Sequence, residues 1–154
     1  MLKTILCLLM LTGSSQTDTF RKEMAPLQSD IDAAVESTGA HVFTNAKAAY
    51  LDNYGIVVML EVMLDGTRNP LFTAQRTRDQ VRAIMNQRMK DVKSKLSELM
   101  KIRVTKMASV GPADSLSVVV CLSNTNPADV PDLPSQIIFS VKKDAPSEVK
   151  VQEF

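Results

Sequence analysis

The apolar positions of this chain recur with two distinct periods. Leu27, Ile31, Ala34 and Val35 step as i, i+4, i+7 and i+8, which is one face of a short amphipathic helix. Pro26 suits the first turn of that helix, Asp30 and Asp32 lie toward its positive end, and Gly39 is placed to stop it. Residues 16 to about 25 are polar and read as loose. The period then drops to two. Residues 41–44 and 47–51 are short strand candidates, and residues 55–64 form the strongest strand pattern in the chain. There Ile56, Val58, Leu60, Val62 and Leu64 share one face, while Val57, Met59 and Met63 share the other with Glu61. Asp52-Asn53-Tyr54-Gly55 supplies a turn, so 47–51 and 55–64 should pair as a hairpin.

Asp65-Gly66-Thr67-Arg68-Asn69-Pro70 reads as a turn or loop. Thr77-Arg78-Asp79-Gln80 then has the spacing of a capping box. Val81, Met85, Met89, Val92, Leu96 and Leu99 follow in steps of four and three, the stripe of a long helix. Residues 102–106 alternate like a strand, so the helix should end near Met100. Leu116, Val118, Val120 and Leu122 mark a second strand over residues 115–123, and Ile137, Phe139 and Val141 a third over residues 136–142. Between them Pro127, Pro131 and Pro134 predict an extended, stiff loop. The last residues, 144–154, are polar and read as a tail. Two helices and mostly antiparallel strands predict an α+β two-layer sandwich: a sheet of about four strands, covered by one long and one short helix.

The first fifteen residues have a different character. Lys3 is followed by an unbroken apolar run over residues 5–11, and then by Thr12-Gly13-Ser14-Ser15. A charged start, an apolar stretch and small residues, in that order, are what a secretory signal peptide needs. The expected organisation is a signal peptide over 1–15, a single domain over 16–143 and the tail over 144–154. An exported chain would be periplasmic or extracellular. No apolar run approaches the ~18 residues of a membrane span, so no transmembrane segment is expected in the mature chain. Cys7 would leave with the signal, and Cys121 would remain as a single thiol. Its place within Val118-Val119-Val120-Cys121-Leu122 reads as buried and inert.

The 154 residues carry 18 Lys plus Arg against 17 Asp plus Glu, a near balance that excludes a globally basic nucleic-acid binder. That balance hides a gradient. Residues 75–106 hold ten basic groups against three acids, while residues 16–66 hold three against eight. On a helix turning ~100° per residue, Arg76, Arg82, Lys90, Lys93 and Lys101 gather on one flank of the long helix. Such a flank suits an acidic envelope component or an acidic protein partner, and it also allows a polyanion. The bland reading is a solvated flank neutralised by acids elsewhere in the chain. Nucleic acid is disfavoured because no stacking aromatics are interleaved.

Catalytic chemistry has little to build on. His41 is the only histidine, so a small hydrolase would have to pair it with Cys121 or with a serine. No Gly-x-Ser-x-Gly elbow and no phosphate-cradling glycine cluster occur. Asp52, Glu61 and Asp65 lack metal-ligand spacing, and no cofactor or metal is called for. Glu61 is notable as a carboxylate on an otherwise apolar strand face, which needs water or a partner such as a cation of the long helix. Met59, Met63, Met85 and Met89 read as core.

One stretch carries a likeness. Ala49-Tyr50-Leu51-Asp52-Asn53-Tyr54-Gly55-Ile56-Val57, continuing to Leu60-Glu61-Val62, resembles exported proteins of unknown function from environmental bacteria of the acidobacterial sort. Leu-Pro-Ser-Gln-Ile-Ile at 133–138 is similar to their C-terminal strand. The resemblance implies a bacterial exported protein and brings no catalytic residues with it. The expectation is therefore a non-catalytic binding or assembly module of the bacterial envelope.

Overall fold

The computed structural model describes residues 13–65, 76–123 and 133–154, with side chains from Asp18 onward. The apolar run and most of the expected signal peptide lie outside these residues, as do the 66–70 turn and most of the proline-rich loop.

Helix α1 runs Gly13–Glu36, far longer than the predicted short helix, and Pro26 lies inside it rather than in its first turn. The polar half before Pro26 is held by tertiary contacts. Phe20 meets Tyr50 edge to face at 6.0 Å. The Glu23 carboxylate accepts hydrogen bonds from the Ala108 and Ser109 backbone N–H groups and from the Ser109 hydroxyl. Its second half buries Leu27, Ile31 and Val35, as the spacing predicts. Gly39 follows with a φ of 79°, the left-handed stop expected there.

Strand β1 spans His41–Leu51 and joins the two short candidates into one. It pairs antiparallel with β2, Gly55–Met63, with register shifts between Val42 and Thr44 and between Thr44 and Lys47. Those shifts explain why the alternation looked broken. Gly55, at φ 116°, has no room for a side chain, because a Cβ there would lie 2.2 Å from the Ser115 carbonyl oxygen.

Helix α2 runs Arg78–Lys106 and opens with the Thr77/Gln80 capping box. It does not stop near Met100. Val104 extends the step of four from Leu96 and Met100 and is fully buried, so residues 102–106 are helix, not strand. Strands β3, Ser115–Leu122, and β4, Gln136–Lys142, follow as expected. The polar stretch predicted as a tail forms a fifth strand, β5, over Ala145–Glu153. The folded unit therefore extends past residue 143.

The sheet has five strands in the order β1-β2-β3-β4-β5. Its pairs are antiparallel except β2 with β3, which run parallel. A parallel pair needs a crossover, and α2 lies in the connection. Both helices pack on one face, α1 over β1 and α2 over β3 to β5, and they touch each other. The result is an α+β two-layer sandwich with one layer of helices. The core lies between the layers and includes Ile31, Val35, Ile56, Leu60, Leu96, Met100, Leu116 and Phe139. No helix among the described residues is long and apolar enough to cross a membrane.

Candidate functional site

The five predicted flank residues do not form one cluster. Arg76 precedes α2 and is exposed. Its charge acts on Arg88, which lies toward α1 and donates to the Leu64 carbonyl at 2.7 Å. The Arg88 pKa is lowered first by burial and then by Arg76, against the opposing pull of Asp65. Arg76 is thus drawn away from the flank, because it precedes the helix and the helical angle does not apply to it. Arg82 is half-buried and is not without a partner. Lys93 donates to the Glu153 carboxylate on β5, so the bland reading holds at that position. Lys90 and Lys101 are exposed. Lys90, Lys93 and Lys101 fall within about 80° of arc at 100° per residue.

Two contacts fix how this flank lies over the sheet. Lys93 meets Glu153 at the far end of β5. Just past α2, the Met107 and Val110 carbonyls accept from the Lys143 ammonium at 2.6 and 2.7 Å, at the turn into β5. Helix and strand therefore run in opposite senses. From Lys93 to Lys101 is about 12 Å along the helix. From Glu153 to Val149 is about 13 Å along the strand. Lys101 thus stands over the Val149 region, and Lys90 lies about one turn beyond Glu153.

Beneath this flank is a sheet edge. Gln136 and Phe154 exchange two backbone hydrogen bonds, 3.1 and 3.0 Å. Antiparallel alternation then directs the backbone groups of Gln152 and Lys150 at β4, and those of Glu153 and Val151 away from it, while Val149 lies at the register shift between Ser140 and Lys142. The side chains of Val149, Val151 and Glu153 lie on the helix side, since Phe139, the partner of Val151, is a core residue. Val151 is 39% exposed.

Among the described residues the other sheet face carries no helix. Glu61 points there, away from the long helix, and its carboxylate accepts from the Thr44 hydroxyl at 3.0 Å instead of meeting a cation of α2. Cys121 is its registered neighbour on β3 and is half-exposed, not buried. Thr44, Lys47, Met59, Glu61 and Cys121 line a depression of about 390 Å³. Met59 is 53% exposed, so of the four methionines read as core only Met63, Met85 and Met89 are. His41 pairs with Met63 on β1, while Cys121 lies on β3. With β2 between them, they are two strand spacings apart, ~9.5 Å, and not brought together. Asp52 and Asp65 stand at opposite ends of β2, and the described residues contain no group fit to hold a metal.

Sequence reasoning missed one cluster on this face. The Tyr54 hydroxyl lies 2.7 Å from the Ser117 hydroxyl, which donates to Ser140 at 3.0 Å. The only trace in the sequence is Ser115 and Ser117 alternating with the apolar face of β3.

Fold and site together define a two-layer α+β sandwich whose described helices lie on one sheet face, with a basic helix flank over one sheet edge. No protein-family model, no curated protein and no solved structure matches the chain.

Proposed function

We propose that the chain is an exported, non-catalytic binding or assembly module of the bacterial envelope, and that its partner contributes an acidic extended segment which adds a strand to β5. The observation that carries this reading is the outward-facing backbone of Val151 and Glu153 beside the helix flank that carries the exposed Lys90 and Lys101. An added strand gains affinity from main-chain hydrogen bonds and specificity from alternate side chains. Here the alternate side chains that face the helix would meet Val149 and Val151 below and ammonium groups above. The charge sets the partner's sign: acidic residues are attracted, basic ones repelled, and both effects weaken with salt. Export is supported by the charged and apolar start of the chain, and a bacterial source by the resemblance of the 49–62 stretch.

Two variants separate the parts of the reading. Val151→Pro removes an N–H that faces away from β4 and leaves the ladder to β4 in place. Lys90→Glu with Lys101→Glu reverses the exposed charges. Both should abolish cross-linked co-purification of envelope partners. Recovery unchanged in Val151→Pro would remove strand addition, and recovery unchanged in the charge reversal would remove the acidic partner.

A further inference from the structure

The sheet face opposite the helices holds a polar centre that the proposed strand addition at β5 does not use. Glu148 and Lys150 of β5 point to that face, opposite to Val149 and Val151. The registers build two adjacent rows there. Ser117, Ser140 and Lys150 stand side by side on β3, β4 and β5, and Ser115 stands beside Lys142 in the next row. Ser115, Ser140, Lys142, Glu148 and Lys150, with Ala145, line a depression of about 240 Å³.

Counting protons gives this depression a polarity. Ser117 has one hydroxyl proton and gives it to Ser140. The 2.7 Å bond between Tyr54 and Ser117 must therefore be donated by Tyr54. Ser140 receives a proton and keeps its own, which it donates to no group among the described residues. The relay thus ends in a donor at the depression. Neither Lys142 nor Lys150 has an ion-pair partner among the described residues, and an ammonium group is donor only. Two cationic residues and the end of a hydroxyl relay line one depression, together with Ser115.

We infer that this depression binds a compact tetrahedral oxyanion, the phosphate or sulfate group of a small ester or of a lipid head group. Charge-assisted hydrogen bonds to such oxygens are the strong kind. Glu148 limits the ligand. It leaves the three charged groups at a net of one positive charge, which suits a single oxyanion and repels an extended polyanion. The volume is several times the ~30 Å³ of a water, enough for the oxyanion and the first atoms of its ester.

The test is a titration of the full folded chain with sodium phosphate, followed by backbone amide NMR, against sodium chloride at matched ionic strength. Saturable shifts at Ser115, Ser140 and Lys150 are expected with phosphate and not with chloride. Lys142→Gln with Lys150→Gln should weaken binding ~10-fold or more, the loss of one or more charge-assisted hydrogen bonds. Ser140→Ala should weaken it less, and Glu148→Gln should strengthen it. No saturable shift, an equal response to chloride, or unchanged affinity in the lysine variant would overturn the site. Sodium sulfate and glycerol phosphate then distinguish the source. Tighter binding of glycerol phosphate than of either inorganic ion marks an ester or head group, and equal binding of all three marks a free-oxyanion site. All substituted side chains are at least partly exposed, so the fold should persist in each variant.

Discussion

The two edges of the sheet are built on opposite terms. At the β1 edge, two register shifts interrupt the ladder within residues 42–47. Helix α1 takes up what they release: the Asp32 carboxylate accepts from the Ala46 N–H and from the Asn45 amide, both at 2.9 Å. Bulges and occupied backbone groups are how natural sheets close an edge. At the β5 edge the register from Ser140 to Ile137 against Lys150 to Glu153 is regular. No helix group caps its outward N–H groups among the described residues. One edge is thus interrupted and capped by an acid at residues 45 and 46, and the other is regular from Lys150 to Glu153 beside bases. A polar edge strand normally repels further strands; in the proposed complex the lysines of α2 would select what approaches.

The β5 edge rests on the core beneath α2. Phe139 is fully buried under α2 and is the register partner of Val151. Phe139→Ala should cost about 3–5 kcal/mol, read as a lowered denaturation midpoint, and β5 amides should lose protection before those of β1. A smaller loss comes from loosening α1. Burial pushes the Glu23 carboxyl up, but hydrogen bonds from Ser109 and Ala108 and the Lys143 charge outweigh it and hold it below the ordinary carboxylate range. A folded pKa below the unfolded one contributes stability above the unfolded value and loses it as pH falls through the folded value. Glu23→Gln should therefore cost about 1–2 kcal/mol at neutral pH. Its stability should approach that of the parent chain as pH falls below the ordinary glutamate range and through the lowered folded value.

Asp32→Ala sharpens the contrast directly. It should cost about 1 kcal/mol and speed exchange of the Ala46 amide, giving β1 an open donor like those of β5. The smallest effect belongs to Val151→Pro, which should change stability by about 0.5 kcal/mol or less. Gln152→Pro, one residue on, deletes a ladder hydrogen bond to β4 and should cost clearly more.

Much of this architecture was legible where burial imposes a period. The apolar stripe of α2, its capping box, and the faces of β2, β3 and β4 follow from spacing alone. What escaped was held by long-range contacts. The first half of α1 is polar, and it is ordered by Glu23 reaching residues 85 and 86 positions away. β5 looked like a tail because an edge strand over one helix needs only Val149 and Val151 on its buried side. The basic flank was readable as charge, but that Glu153 would neutralise Lys93 was not. Nor was the Tyr54, Ser117 and Ser140 relay, whose members are separated by 63 and 23 residues and meet only through strand register.

The open edge is tested most directly by site-specific photo-cross-linking in the native envelope. A photoreactive side chain at Val151 is compared with one at Phe43, which is 61% exposed on the interrupted β1 edge. Adducts to a discrete partner from position 151, weakened by salt and absent from position 43, are the predicted result. Equal adducts from both positions, or adducts from position 43 alone, would contradict the account.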